Sequence, residues 1–207
     1  MNTSTWHSLT QGWHKLLRLN SNTVYAPIPK CAHTWMLRSY PTQAESTATS
    51  TDRCLILLRD PIQRWISGTG TYCDNTNTFK RELHNGQPFN WDQLFERTLI
   101  LDGHTVPQTY YLRDINTTTA DLFPVTAQLK QQISQYLNCA PAVSAANVTA
   151  RNGSRKQITH SLTQYLQSNP QLQAQLQLLY AEDYELINQL IPEDFGYKWL
   201  TSAQKLL

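Results

Sequence analysis

Long apolar runs are missing from this chain of 207 residues. No segment approaches the roughly 20 apolar residues that a membrane-spanning helix needs, and the N-terminus has no apolar signal-peptide core. Hydrophobic residues nevertheless make up 40% of the sequence, and charged residues only 15%. We therefore expect a soluble, cytoplasmic protein with no membrane span, folded as one domain over residues 1–207 with a sizeable core.

A strong charge of either sign and a metal-binding pattern are missing as well. A net charge of +2 and a pI near 8.3 are too mild for a nucleic-acid-binding protein. The four cysteines have neither metal-ligand spacing nor close pairs, so no metal site is expected. They are Cys31, Cys54, Cys73 and Cys139. The Gly-x-x-x-x-Gly-Lys-Ser/Thr motif of P-loop kinases is also absent.

The first informative segment present runs from Val24 to Trp35 and reads as a short strand, a tight loop and the start of a helix. The loop carries Lys30, and Thr34 adds a hydroxyl in the first helical turn. Backbone N–H groups at a helix N-terminus lack intrahelical partners, and the helix dipole favours negative charge there. The segment therefore predicts a site for a phosphate-like anion, with an ordinary turn and a solvated lysine as the alternative.

A second segment, from Cys54 to Ser67, has a similar organisation. Its apolar run from Cys54 to Leu58 suits a strand buried on both faces, as in a parallel sheet. Asp60 and Pro61 supply an N-cap and a first-turn proline, so a helix should begin there. Arg59 then lies at the carboxyl end of the strand, where open α/β sheets place ligands. The alternative is a surface arginine that pairs with Asp60.

Together the two segments resemble the nucleotide-binding motifs of sulfotransferases that use 3'-phosphoadenosine 5'-phosphosulfate (PAPS). Within that family, the two motifs are most similar to those of the carbohydrate (Golgi-type) branch and its bacterial and viral relatives. The 5'-phosphosulfate loop of that family resembles Pro29-Lys30-Cys31-Ala32-His33-Thr34-Trp35. The 3'-phosphate motif resembles Arg59-Asp60-Pro61 with Arg64 and Ser67. The resemblance implies a P-loop-like three-layer α/β fold, with a central, mainly parallel sheet flanked by helices. Ala32 departs from the family glycine, and a position that needs positive φ would weaken cofactor binding.

Two later segments extend the resemblance over most of the chain. Residues 102–108, Asp-Gly-His-Thr-Val-Pro-Gln, are similar to an Asp-x-His-x-x-Pro-Gln element of carbohydrate sulfotransferases. Residues 147–156 form an Asn-x-Thr basic loop that precedes a helical run ending in Tyr180-Ala181-Glu182-Asp183-Tyr184. Arg155 and Lys156 would act there as a phosphate lid, or else lie in a solvated basic loop.

The resemblance implies a role for each candidate residue. Lys30 would contact the bridging and sulfuryl oxygens, Thr34 the 5'-phosphate, and Arg59 with Ser67 the 3'-phosphate. The whole loop from Pro29 to Trp35, including Cys31, Ala32 and His33, would bind the cofactor, although core packing is the favoured role of Trp35. The base that accepts the proton of the acceptor hydroxyl is left open among four residues. They are Glu45, His33, His84 and His104.

The expected function is sulfuryl transfer from PAPS to an acceptor hydroxyl, by an in-line mechanism that needs no metal. The partner would be a small-molecule or glycan acceptor. Tyr72, Phe89 and Trp91 either stack on a sugar ring or belong to the core. The alternatives are a non-catalytic nucleotide- or glycan-binding protein and a P-loop kinase-like phosphotransferase. The sequence gives no indication of oligomeric state.

Hydropathy and breaker residues also predict the remaining elements. We expect a helix over residues 5–19, a helix over 91–101, a short strand over 110–112 and a helix over 121–137. The last helical stretch should run from Ser161 to Leu190, with an interruption at Asn169-Pro170.

Overall fold

The computed structural model describes residues 3–10, 15–42, 49–76, 89–142 and 153–189. These residues group into two compact units, one drawn from 1–59 and 108–149 and the other from 60–107 and 150–207. We call the first the sheet unit and the second the helical unit. One domain over residues 1–207 stays a prediction.

The sheet unit contains all four described strands. They are β1 (Leu17–Asn20), β2 (Thr23–Ala26), β3 (Arg53–Leu58) and β4 (Asp121–Pro124). Their order in the sheet is β1-β2-β3-β4, with β1 antiparallel to β2 and the other two pairs parallel. The described helices of this unit are α1 (Thr3–Thr10), α2 (His33–Ser39), α5 (Gln108–Tyr111) and α6 (Leu129–Leu137). The chain is thus a mixed α/β protein with an open, mostly parallel sheet flanked by helices, as expected at that level.

Strand β3 is the central element of the sheet and confirms the apolar-run prediction. Residues 55–58 are buried almost completely, and β2 on one side and β4 on the other both pair with it in parallel. Four consecutive apolar side chains fit such a strand because both of its faces are covered.

The described helices of the helical unit are α3 (Pro61–Asn75), α4 (Trp91–Phe95), α7 (Gly153–Gln167), α8 (Pro170–Leu179) and α9 (Ala181–Asn188). As predicted, α3 begins with Pro61 at its first position, and the Asp60 carboxylate accepts the Gln63 N–H at 2.7 Å. The predicted interruption is also confirmed, because Asn169 caps α8 just before Pro170.

The core of the helical unit is formed mainly by α3, α7 and α8. Trp65, Ile158, Leu162 and Leu176 are fully buried in it. Trp91 is 4% exposed and stacks on Phe89 with 4.2 Å between ring centroids. Of the two roles weighed for Trp91, the structure therefore supports core packing.

Several local predictions are wrong. The last helical stretch, expected from Ser161, begins at Gly153, so residues 153–156 of the predicted basic loop are helical. The helix expected over residues 5–19 ends at Thr10, and residues 17–20 form β1 because they pair with β2. The helix expected over 91–101 ends at Phe95. Residues 108–111 are helical instead of forming a strand at 110–112. Residues 121–124 form β4, and the helix expected over 121–137 begins only at Leu129.

Strand pairing accounts for the errors at 17–20 and 121–124. Residues 17–20 pair with the neighbouring strand β2, and residues 121–124 pair with β3, which is distant in sequence. Such pairing overrides local propensity. Among the described residues, no helix combines the length and the apolar character that crossing a membrane requires.

Candidate functional site

The loop between β2 and α2, residues 27–32, has an unusual backbone. Lys30 has φ of 69° and Ala32 has φ of 58° and ψ of 16°, so both are left-handed. The Cys31 N–H donates to the Ile28 carbonyl at 3.2 Å and closes a turn between them. Non-glycine residues rarely adopt left-handed angles, and they keep them only where the surrounding structure enforces them. The loop is therefore a constrained feature of the fold.

Ala32 occupies the position at which the sequence comparison expects glycine. Its left-handed angles show that this position does need positive φ, which alanine reaches only at a cost of about 1–2 kcal/mol. Ala32 is also the N-cap of α2, and its side chain makes no capping hydrogen bond. The first turn of α2 is thus capped without a side-chain oxygen.

Burial differs sharply along this segment. Cys31 is fully buried and residues 27–29 are buried with it, whereas Lys30 is half-buried and Thr34 is exposed. Trp35 is 8% exposed and meets the Tyr40 ring edge-on at 5.8 Å between centroids. Trp35 is therefore a core residue, Thr34 is exposed, and Lys30, Ala32 and His33 are half-buried.

His33 lies against the buried ring of Tyr25, with 6.0 Å between stacked ring centroids. Burial lowers the pKa of His33 below its ordinary value, because the charged imidazolium is poorly solvated there. The same cause raises the pKa of Tyr25. At neutral pH His33 is therefore a neutral imidazole, and its predicted role as a base stays a prediction.

Arg59 follows β3 directly, as the sequence predicts. Its guanidinium Nη1 donates to the Lys30 carbonyl oxygen at 3.4 Å. The sheet unit thus brings the two predicted cationic residues, Lys30 and Arg59, to the same loop. Parallel strands present their carboxyl ends at one edge of the sheet, and β2 and β3 are such neighbours.

Gln108 joins the end of β3 to this loop. Its Nε2 donates to the Arg59 carbonyl at 2.7 Å, and its Oε1 accepts the Arg59 N–H at 2.9 Å. The same Oε1 accepts the Cys31 thiol at 3.0 Å, and Gln108 is fully buried. Sequence reasoning assigned no role to Gln108, although the segment 102–108 that contains it was noticed.

The other predicted binding residues lie in the helical unit. Ser67 is half-buried in α3, and its carbonyl accepts the Thr71 hydroxyl at 3.1 Å. Arg155 is in the first turn of α7 and pairs with Asp74 of α3 at 2.8 Å, while Lys156 next to it is exposed. Arg155 thus has a carboxylate partner, and the predicted phosphate contacts of these residues stay predictions.

His104, also in the helical unit, forms a pair with Asp102. The imidazole Nδ1 and a carboxylate oxygen of Asp102 are 2.9 Å apart, and the His104 N–H donates to the other oxygen at 2.8 Å. Both side chains are 27% exposed. A carboxylate bonded to Nδ1 orients the imidazole ring. The predicted role of His104 as the base stays a prediction.

The segment that carries this pair is held at several points. The Arg64 guanidinium donates to the Val106 carbonyl at 2.6 Å, and the Tyr180 hydroxyl donates to the Thr105 carbonyl. A Cβ at Gly68 would lie only 2.6 Å from the His104 carbonyl oxygen, so the backbone of this segment packs closely on α3. Two predicted bases, Glu45 and His84, lie outside the described residues.

Comparison with known proteins corrects the family assignment. A family model described as "Haemophore, haem-binding" matches residues 116–181, about a third of the chain. No curated protein matches, and neither does any solved structure. The prediction that the chain belongs to the PAPS-dependent sulfotransferase family is therefore wrong, and so is its description as a sulfotransferase by family. The residue geometry described above does not depend on that assignment.

Proposed function

We propose that the β2–α2 loop binds a phosphate or sulfate group of a nucleotide, and that the chain moves a sulfuryl group from PAPS to an acceptor hydroxyl. A carbohydrate is the favoured acceptor. The proposal also includes the predicted P-loop-like fold, in which helices flank the central sheet in three layers. One observation carries it: two left-handed residues, Lys30 and Ala32, lie at the carboxyl end of β2 beside Arg59 at the carboxyl end of β3. Family membership plays no part in it.

The backbone of the loop supports anion binding. Left-handed residues that alternate with other conformations turn successive N–H groups towards one side of a loop, and such concavities bind anions. Lys30 and Ala32 are the left-handed residues here, and Cys31 lies between them. A buried loop with this conformation is organised before the ligand arrives, which lowers the entropy cost of binding.

The side chains support a phosphate or sulfate ligand in particular. Lysine presents a point charge, whereas arginine offers a planar fork that matches two oxygens of such a group. Lys30 is half-buried and Arg59 is bonded to the Lys30 carbonyl, so both cations belong to the same loop. In sulfuryl transfer they would neutralise charge on the donor oxygens as the bond to the leaving group breaks.

Transfer also needs a proton acceptor for the attacking hydroxyl. His104 is the residue proposed for this role, on the basis of its sequence motif and of the bond between its imidazole Nδ1 and the Asp102 carboxylate within the helical unit. In the proposed reaction the hydroxyl proton passes to the base as the oxygen–sulfur bond forms. The leaving group is 3'-phosphoadenosine 5'-phosphate (PAP).

Calorimetric titration with PAP tests the binding step. Wild type should bind PAP, and Lys30→Ala should weaken binding by about 10-fold or more, since a hydrogen bond to a charged group contributes about 1.5–3 kcal/mol. Lys130→Ala is the matched control, because it removes the same charge from an exposed position on α6 of the same unit. Absence of PAP binding by the folded wild type would refute the proposal.

Transfer of radiolabelled sulfate from PAPS to carbohydrate and phenol acceptors tests the chemical step. PAP binding without transfer to any acceptor would favour the non-catalytic alternative. Tighter binding of ATP than of PAP would favour the kinase-like alternative. His104→Asn should abolish transfer and leave PAP affinity unchanged.

Haem binding is the second candidate, and the family match alone favours it. The described residues fit haem poorly. The apolar side chains of α7 and α8 that face inwards, including Leu162 and Leu176, are fully buried in the core of the helical unit. His160, the histidine of the matched range, is exposed on α7. Titration with haemin, followed by the Soret band, distinguishes the candidates: a saturable red shift that His160→Ala abolishes would establish haem binding.

A further inference from the structure

Gln108 bonds the backbone at the end of β3 in the way that a neighbouring strand would. In a parallel ladder, successive residues direct their backbone groups alternately to the two neighbouring strands. The Leu58 carbonyl accepts from Val125 on the β4 side, so Arg59 directs its N–H and C=O to the side of β2. β2 ends at Ala26, the partner of Ile56, so Arg59 lies beyond the paired residues of β2 and β3.

The side-chain amide of Gln108 bonds both backbone groups of Arg59. Its Nε2 donates to the Arg59 carbonyl and its Oε1 accepts the Arg59 N–H, at 2.7 and 2.9 Å. This is the donor–acceptor pair that a neighbouring backbone would offer. Each such hydrogen bond contributes about 0.5–1.5 kcal/mol, so the amide stabilises β3 at the point where Arg59 leaves the sheet.

The third bond of this amide reaches the loop. Cys31 lies between the two left-handed residues, and its thiol donates to Gln108 Oε1 at 3.0 Å. Arg59, which the amide also holds, donates from its side chain to the Lys30 carbonyl. Gln108 is thus connected to the loop by two routes, one through Cys31 and one through Arg59.

We propose that Gln108 is a positioning residue of the anion site: its buried amide holds the left-handed β2–α2 loop and Arg59 in the arrangement that binds the anion. Gln108 is fully buried and acts through Arg59 and Cys31. This inference rests on the proposed function for its ligand. The loop conformation itself is open to a test without any ligand.

Gln108→Met tests the proposal because methionine keeps the length of the side chain and removes all three bonds. Gln132→Met is the matched control, since Gln132 lies on α6 of the same unit and its buried Oε1 has no hydrogen-bond partner among the described residues. Circular dichroism verifies that both variants are folded. The two readouts are the labelling rate of Cys31 with N-ethylmaleimide, mapped on peptides, and the dissociation constant of PAP.

In Gln108→Met, Cys31 labelling should become at least about 10-fold faster and PAP binding about 10-fold weaker, because one lost hydrogen bond corresponds to about a factor of ten. The exposed Cys139 serves as an internal reference that should not change. Gln108→Glu keeps an acceptor for Arg59 and Cys31, so its labelling rate should lie nearer to wild type. Gln108→Ala removes the same three bonds and replaces Gln108→Met if the latter does not fold.

Unchanged Cys31 labelling in both Gln108 variants would overturn the proposal, whatever the ligand. Faster labelling with unchanged PAP affinity would overturn the link to the anion site. If wild type binds no PAP but Cys31 labelling rises, the proposed function fails while the role of Gln108 in holding the loop stands. The two failures are therefore distinguishable.

Discussion

Replacing Ala32 by glycine should stabilise the protein, which is unusual for an alanine-to-glycine change. Ala32 has φ of 58° and ψ of 16°, a left-handed conformation that costs an L-residue about 1–2 kcal/mol and glycine very little. Against this gain, glycine increases the entropy of the unfolded chain by about 0.4–1 kcal/mol. Loss of a half-exposed methyl group costs about 0.4 kcal/mol more. The net expectation is a stabilisation of about 0.5 kcal/mol.

Ala26→Gly is the matched control for this change. Ala26 lies in β2, is 3% exposed and does not have a positive φ. The same substitution there relieves no strain, removes a buried methyl group and adds chain entropy, so it should destabilise by about 1.5 kcal/mol. The free energies of unfolding of the two variants should therefore differ by about 2 kcal/mol, one above and one below wild type, although the substitution is the same.

Urea unfolding, followed by far-ultraviolet circular dichroism, measures both effects as changes in the free energy of unfolding. Ala32→Gly should also bind PAP at least as tightly as wild type, since glycine retains the left-handed geometry. The reasoning is refuted if Ala32→Gly destabilises as much as Ala26→Gly, because Ala32 would then carry no conformational strain.

Two further predictions concern single contacts outside the loop. The Arg18 guanidinium donates to both carboxylate oxygens of Asp52, at 2.8 and 2.7 Å, and keeps the pKa of Asp52 well below its ordinary value. The stability that this ion pair gives the folded protein is therefore present above about pH 4 and is lost as the pH falls below that value. Asp52→Asn should therefore flatten the decline of the urea midpoint between about pH 5 and about pH 3, and an undiminished decline would contradict this assignment. Gly68→Ala should destabilise by about 1–3 kcal/mol, because its Cβ would lie 2.6 Å from the His104 carbonyl oxygen. Gly70→Ala meets a side-chain methyl group instead and should cost less in the same urea unfolding assay, and equal costs would argue against a rigid backbone contact.

Local sequence patterns were sufficient to predict the two strand–helix junctions, β2 to α2 and β3 to α3. The apolar run before Arg59 predicted a buried parallel strand, and Asp60 with Pro61 predicted the start of α3. Such features can be read from the chain because a cap, a first-turn proline and an apolar run act over a few neighbouring residues. Strands β1 and β4 were missed because their stability comes from pairing with β2 and β3, which their own sequences do not reveal.

The candidate site shows the same division. Its chemistry, a lysine and an arginine after successive strands, was determined by the sequence alone, because Arg59 follows β3 directly and Lys30 lies in the short loop after β2. The family assignment made from the same motifs was wrong, since short motifs carry little information about ancestry.

Only the tertiary structure decided how these cations are held. Gln108 is 49 residues from Arg59 and 77 from Cys31, and no local pattern marks its bonds to them. The positive φ of Ala32 is likewise set by the surrounding fold, because alanine on its own avoids that conformation. The sequence thus determined which charged groups the loop presents, whereas long-range hydrogen bonds and packing determined the conformation in which it presents them.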